Sequence, residues 1–171
     1  ADWAPAGTLT AIKSFNSARS THLLGLIGAG PTTPPAPTAT ATLTKSHGPL
    51  MISEILAANT TALNNGGTYP DVIELHNSGT TSIDLDGMSL SDNPEFPQKF
   101  TFTGSTVLPA GGFLVIFADT ATGAPGLHTG FSLEQGGDSL SLYDTAANGA
   151  AVIDSISFGP QAANHSIGRT G

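Results

Sequence analysis

The densest group of side chains that could do chemistry lies in one acidic stretch, SIDLDGMSLSDNPEF, which begins at Ser82. Several closely spaced oxygen donors are what a hard cation such as Ca²⁺ requires. The candidate calcium ligands are Asp84, Asp86, Asp92, Asn93 and Glu95. The spacing lacks the regular acidic repeat and closing glutamate of an EF-hand loop. Carboxylates that keep one face of a strand and a turn in water are therefore the alternative interpretation.

Other catalytic and cofactor motifs are missing from the sequence. It has five histidines and many serines, but none lies in a Gly-x-Ser-x-Gly or His-Glu-x-x-His context. It has no cysteine, so thiolate metal sites and disulfides are excluded. The stretch EQGGDS lacks the pattern of a phosphate-binding loop. The sequence therefore predicts a protein without enzymatic activity and, calcium aside, without a cofactor.

Charge is distributed unevenly along the 171 residues, whose net charge is −8. Residues 1–47 carry three basic residues and one acidic residue, which gives +2, whereas residues 48–171 carry two basic and twelve acidic residues, which gives −10. Such an acidic body repels phosphate backbones, so nucleic acid is not an expected partner. No apolar run reaches the roughly 20 residues of a membrane-spanning helix.

The acidic stretch itself has the residue pattern of β-strands. Ile83 and Leu85 point to one face and Asp84 to the other, which is the alternation of a half-buried strand. Gly87 then breaks the phase, as a β-bulge would, and Leu90 returns to the inward face. On this interpretation the aspartates supply only the solvent face.

From Leu50 onward the sequence consists of short strand patterns separated by turn residues. The segment DVIELHN alternates cleanly, and GGFLVIFA is apolar on both faces, which predicts a central strand. Strand patterns recur at intervals of roughly 8–12 residues, with no long helical pattern between them. The prediction is an all-β sandwich or barrel over residues 48–171.

The leading residues, 1–30, have a different pattern. Apolar residues recur at spacings of three and four between Leu9 and Leu26, which describes one stripe of an amphipathic helix. That stripe either packs on its own body or docks on a partner. The docking residues predicted are Ile12, Phe15, Arg19, Leu23 and Leu26, with Lys13 contributing charge.

Residues 31–47 form a Pro/Thr-rich linker or an extra strand. The first half, PTTPPAP, is typical of an extended, semi-rigid linker. The second half, TATATLTK, alternates as a strand does and could pair with the edge of its own sheet or of a neighbour's sheet. An O-glycosylated stalk is the third alternative.

The blocks ISEILAAN, DVIELHNSGTTSIDLDGMSLSDNPEFPQKFTF, LPAGGFLVIFAD, HTGFSLEQGGDSLSLYD and VIDSISFGPQAANHSIGR resemble the lamin tail domain in its bacterial, exported form. The resemblance covers residues 50–170 and implies an immunoglobulin-like β-sandwich. Val72 and Met88 stand where the family favours tryptophan. The main motif positions implied are Glu54, Asp71, Glu74, Asn77, Gly87, Asp92, Asp138 and Arg169.

A shorter resemblance lies upstream. The segment IKSFNSARSTHLLGLI is similar to the helix that ends CotH-like, spore-coat-type kinase domains, which in some exported proteins precede a lamin tail domain. This resemblance implies that the chain is the C-terminal piece of something larger.

The function expected from these observations is structural or adhesive. We expect an exported module at the cell surface that associates with copies of itself, or with another surface protein, through its N-terminal segment, as in a filament or surface array. The alternative is an accessory domain that binds calcium or carbohydrate for a larger secreted protein. Two asparagines, Asn59 and Asn164, fit the N-glycosylation sequon.

Overall fold

A computed structural model describes residues 42–43 and 48–169 of the chain. The predicted N-terminal helix, all five of its docking residues and most of the Pro/Thr-rich stretch lie outside the described residues. The division of the chain at residues 30 and 47 therefore stays a prediction. In the described part, regular structure consists of strands and one turn of 3-10 helix, Ala146–Asn148, and no helix there is long and apolar enough to cross a membrane.

Eleven short strands build the described part of the fold. One sheet has five strands in the order β1-β10-β9-β5-β6, a second has four in the order β11-β2-β3-β8, and β4 and β7 form a two-stranded ribbon. All pairings within these sheets are antiparallel. The strands are β1 (Thr42–Leu43), β2 (Leu50–Leu56), β3 (Asp71–Asn77), β4 (Ile83–Asp84), β5 (Ser89–Ser91), β6 (Phe100–Thr101), β7 (Val107–Leu108), β8 (Phe113–Ala118), β9 (Asp138–Tyr143), β10 (Val152–Phe158) and β11 (Ile167–Gly168).

The core lies between the two large sheets. Ile73 and Leu75 of the four-stranded sheet are fully buried, and Leu90 and Leu140 of the five-stranded sheet belong to the same hydrophobic cluster. Their period-2 spacing in the sequence is what turns one face of each sheet inward. The predicted immunoglobulin-like β-sandwich is confirmed.

The acidic stretch around Gly87 is organised differently from the prediction of one bulged strand. Ile83 and Asp84 belong to the small β4-β7 ribbon, whereas Leu90 lies in the five-stranded sheet. A turn joins them, in which the Met88 N–H donates to the Leu85 carbonyl. Gly87 adopts φ +79°, a left-handed conformation that glycine tolerates at little cost. The break in the phase is therefore a change of sheet rather than a bulge.

The prediction that β8 is a central strand is wrong. β8 pairs only with β3 among the strands of its sheet and stands at its edge. Both faces are nonetheless apolar because a loop covers the C-terminal half of β8. Phe117 donates its N–H to the Leu127 carbonyl and accepts a hydrogen bond from the Thr129 N–H. Burial by this loop, rather than by a second neighbouring strand, explains the apolar pattern.

β1 begins at one particular end of the sandwich. Thr42 lies opposite Ser157 of β10, and Phe158 of β10 lies opposite Asp138, the first residue of β9. Because β1 and β10 are antiparallel, the polypeptide reaches Thr42 from the end at which Asp138 lies. For these two residues of the Thr-rich stretch, the pairing is with the edge of their own sheet.

Two buried polar side chains fasten strands and loops. Asp154 of β10 accepts a hydrogen bond from the Ile52 N–H of β2 at 2.7 Å and forms an ion pair with Arg169 Nη2 at 2.7 Å, which ties the two sheets together. Asn77, at the end of β3, donates through Nδ2 to the carbonyls of Thr81, Leu108 and Pro109.

Candidate interaction site at the acidic end

Five carboxylates lie at the end of the sandwich from which the chain reaches β1. Strands β3 and β9 begin there and β5 and β8 end there, so the residues that start or follow these strands come together although they are distant in the sequence. A loop between β8 and β9 adds one more. We name this region the acidic end and define it by Asp71, Asp92, Asp119, Glu134 and Asp138.

Two of these carboxylates hold the loop that crosses between the sheets. Asp71 accepts hydrogen bonds from the N–H groups of Asn59 and Leu133, and Asp138 accepts them from Ser139 and Glu134. Asp71 belongs to the four-stranded sheet and Asp138 to the five-stranded sheet. Because they accept hydrogen bonds from two consecutive backbone N–H groups, those of Leu133 and Glu134, they hold this loop across the end of the sandwich. Both are motif positions whose roles are thus structural.

The electrostatic environment of the acidic end disfavours further negative charge. Burial raises the pKa of the Asp71 carboxyl above its usual value, and the charges of Asp119 and Glu134 raise it further. Burial likewise raises the pKa of Asp138, with Asp92 and Glu134 adding to the effect. The backbone hydrogen bonds oppose this shift in both cases but do not cancel it. This end of the protein would therefore gain from a positively charged neighbour.

The raised pKa of Asp138 predicts how stability depends on pH. Its pKa is higher in the folded than in the unfolded chain, so the folded state binds a proton first and gains stability as the pH falls through the raised value. Asp138→Asn abolishes this titration. We expect the stability of the wild type relative to Asp138→Asn to increase as the pH falls from neutrality toward the usual Asp pKa of about 4, measured as urea midpoints. A relative decrease would contradict the assigned shift.

Asp92 is neutralised in part by Lys99, one of only two Lys or Arg residues after position 47. The Lys99 ammonium lies 2.5 Å from the Asp92 carboxylate and 4.6 Å from the centre of the Phe131 ring. This pair joins the first and last residues of the loop between β5 and β6. Asp92 was predicted as a calcium ligand, whereas in the structure its carboxylate forms an ion pair with Lys99.

The side chains of two other predicted calcium ligands accept local hydrogen bonds. Asp84 accepts one from the Asp86 N–H, and Asn93 accepts one from the Glu95 N–H. Within residues 48–169, no three His, Asp or Glu side chains come together as a metal site. The structure thus does not gather the four predicted carboxylates, and calcium binding that uses other oxygen donors stays a prediction.

Beside Asp92, the same loop forms a shallow pocket that sequence reasoning missed. The pocket has a volume of about 480 Å³ and is lined by Asn93, Glu95, Phe96, Pro97, Gln98 and Lys99. Phe96 is 62% exposed, the largest value among the exposed large hydrophobic residues of the described chain. An aromatic residue between two prolines, in NPEFP, was the signal in the sequence that could have identified it.

Asp119 of the acidic end pairs with the buried His128, but the second ring nitrogen of this histidine contacts an amide and a carbonyl rather than a nucleophilic side chain. His128 Nδ1 lies 2.6 Å from Asp119 Oδ1, and Nε2 lies 3.3 Å from both Asn65 Nδ2 and the Pro125 carbonyl. These contacts fasten the loop that covers β8. His76 lies elsewhere, stacked on Phe113 at 4.1 Å, and burial lowers its pKa.

The remaining motif positions also make contacts within the fold. Glu74 accepts a hydrogen bond from Ser53 Oγ at 2.7 Å, where two residues of β2 oppose one of β3. Glu54 lies opposite Gly168 of β11, the edge strand of the same sheet. Their roles are to shape edges, bulges and turns.

A family model of the lamin tail domain matches residues 44–160, which is more than half of the chain. The chain belongs to the lamin tail domain family. No curated protein matches the sequence. The lamin tail domain is a structural, immunoglobulin-like module, which agrees with motif residues that hold loops and sheets together.

In this lamin tail domain both predicted glycosylation sites are engaged in the fold. Asn59 is buried, and its Nδ2 donates to the carbonyls of Leu63 and Pro70 at 2.7 Å. Asn164 Oδ1 accepts from the N–H groups of Thr60 and Thr61 at 2.8 Å. A sugar on Asn59 Nδ2 would replace one of these two N–H donors, and a sugar on Asn164 would have to be placed on the nitrogen that donates to Thr60 Oγ1 at 2.8 Å.

Proposed function

We propose that this lamin tail domain is a non-enzymatic building block of an exported assembly at the cell surface. Its leading segment associates with a further copy or with another surface protein. The helix predicted in residues 1–30 supplies the docking stripe, and the sandwich supplies the rigid body. Repeated head to tail, such a contact would produce a filament or array.

The observation that carries this proposal is the group of five carboxylates gathered at the acidic end. The leading residues have a net charge of +2, and they are joined through Thr42 to the end at which five carboxylates lie. Complementary charge steers two copies into one orientation. The motif residues support a structural role as well, because those described are engaged in holding the fold.

The proposal predicts that assembly depends on the apolar stripe of the leading segment. We expect Phe15→Glu combined with Leu23→Glu to leave the protein monomeric under conditions in which the wild type forms larger species. Docking would bury the two glutamate carboxylates in an apolar contact, and burying an unpaired charge costs free energy. Light scattering over a range of protein concentrations measures the mass.

A matched control places the same charges off the stripe. Ser17→Glu with Thr21→Glu adds two glutamates within the same segment but on the opposite side of the predicted helix. Assembly should persist in this control, because the added glutamates reduce only the charge attraction between the leading segment and the acidic end. Assembly should also weaken as the salt concentration rises from about 0.1 M to about 0.5 M, because salt screens that attraction. A wild type that is monomeric throughout, or a control as defective as the stripe variant, would refute the proposal.

A further inference from the structure

The pocket beside Asp92 is built before any ligand arrives. Ser91 Oγ accepts a hydrogen bond from the Asn93 N–H, and Asn93 in turn accepts from the N–H groups of Glu95 and Phe96. The ion pair between Lys99 and Asp92 holds the two ends of the loop together. A concave surface held in this way costs little entropy when it binds a partner.

The chemistry of this pocket favours a proline-rich strand of peptide. Its prominent features are the exposed ring of Phe96 and the adjoining ring of Pro97. Proline-rich segments dock on aromatic surfaces because their polyproline II conformation is already formed and carries few N–H groups that need partners. The amide side chain of Gln98 and the carboxylate of Glu95 are available at the rim for backbone N–H and hydroxyl groups.

This chain contains such a segment, and it is attached close by. Residues 31–41 include four prolines and four threonines and no charged residue. They are joined to β1, which reaches the sheet at the acidic end, where the loop between β5 and β6 also lies. Tethering at this short range gives the segment a high effective concentration at the pocket.

The distance fits the length of the segment. In the five-stranded sheet β1 and β5 are three strand spacings apart, which is about 14 Å. Residues 36–41 would span about 19 Å in a polyproline II conformation. The run Pro34–Pro35 therefore reaches the pocket of its own sandwich without strain.

We propose that residues 31–41 pack in this pocket, across the acidic end of their own protomer, with proline rings on the face of Phe96. The segment thereby sets the direction in which the preceding helix leaves the sandwich. This contact is apolar and internal to one chain. It holds whether or not the helix engages a second copy, so it goes beyond the proposed function.

Disulfide trapping in the full-length protein tests the proposal, because the chain has no cysteine of its own. We expect Ala36→Cys with Gln98→Cys to form an intrachain disulfide at least about tenfold faster than Ala36→Cys with Thr80→Cys. Thr80 is exposed but follows β3, at the opposite end of the sandwich. Gel mobility without reductant and peptide mass spectrometry identify the products.

A third substitution tests the role of the aromatic ring. Phe96→Ala, added to Ala36→Cys with Gln98→Cys, should slow trapping about as far as the Thr80 control, and the exposure of Phe96 means that the fold survives its loss. High salt should leave the trapping rate unchanged. Equal rates for the two pairs, or no effect of Phe96→Ala, would overturn the proposal. Interchain products alone would overturn it too, while leaving assembly, measured by light scattering, intact.

Discussion

Asp154→Ala should be the most destabilising of the polar substitutions in this protein, with a loss of about 3–5 kcal/mol in the free energy of unfolding. Asp154 is buried and joins the guanidinium of Arg169 to the Ile52 N–H. Without the carboxylate, a largely buried cation loses its counterion and a buried N–H loses its acceptor. Urea denaturation of the wild type and the variant measures the difference.

The surface pair of Asp92 and Lys99 provides a matched control for the buried pair. Its side chains are 17% and 34% exposed, so Asp92→Ala should cost less than about 1 kcal/mol. Asp154→Leu combined with Arg169→Met removes both buried charges and should cost less than Asp154→Ala alone. If Asp154→Ala lowers the free energy of unfolding no more than Asp92→Ala does, the contacts of Asp154 with Arg169 and Ile52 contribute little to stability.

Asn77→Ala should lower the free energy of unfolding by about 2–4 kcal/mol, since each buried polar group left unpaired costs about 1–3 kcal/mol. Asn77 donates to three carbonyls, and its Oδ1 accepts the Gly79 N–H at 3.0 Å. These bonds join two loops at the end of the sandwich opposite the acidic end. Asn64→Ala, which removes one exposed hydrogen bond to Gly67, is the control and should change stability by about 0.5 kcal/mol or less.

Asn77→Asp separates loss of hydrogen bonds from loss of packing. The carboxylate keeps the shape of the side chain but directs negative charge at carbonyl oxygens, so this variant should be less stable than Asn77→Ala near neutral pH. Protonation restores a donor, and the variant should recover relative to the wild type as the pH falls. The same stability for Asn77→Asp and the wild type near neutral pH would contradict the assigned role of the amide.

The sandwich was predictable from the sequence because its signal is local. Ile73 and Leu75 alternate with polar residues, and the period of two places them on one face wherever the strand lies. The position of β8 at a sheet edge was not predictable in the same way. The loop that buries it returns from further along the chain, and an apolar pattern does not reveal whether a strand or a loop provides the cover.

The acidic end was predictable only in part. Asp71, Asp92 and Asp138 were identified as motif residues, but their meeting depends on the order of the strands, which no local pattern contains. Asp154 carried a signal that was overlooked: counting back in twos from Phe158 and Ile156 places it on the inward face. The leading stripe of Phe15 and Leu23 lies outside the described residues, so its docking role stays a prediction.

The pairing of β1 with β10 has a mechanical consequence. β1 is two residues long and runs away from the acidic end, so a pull directed outward from that end along the strand would load it parallel to its own axis. In that geometry the hydrogen bonds between β1 and β10 carry the load together, whereas a pull across the sheet would break them one after the other. Meanwhile β11 runs along β2 toward the opposite end. In the proposed assembly, a pull that enters through β1 and leaves through β11 would therefore cross this protein lengthwise, along its strands.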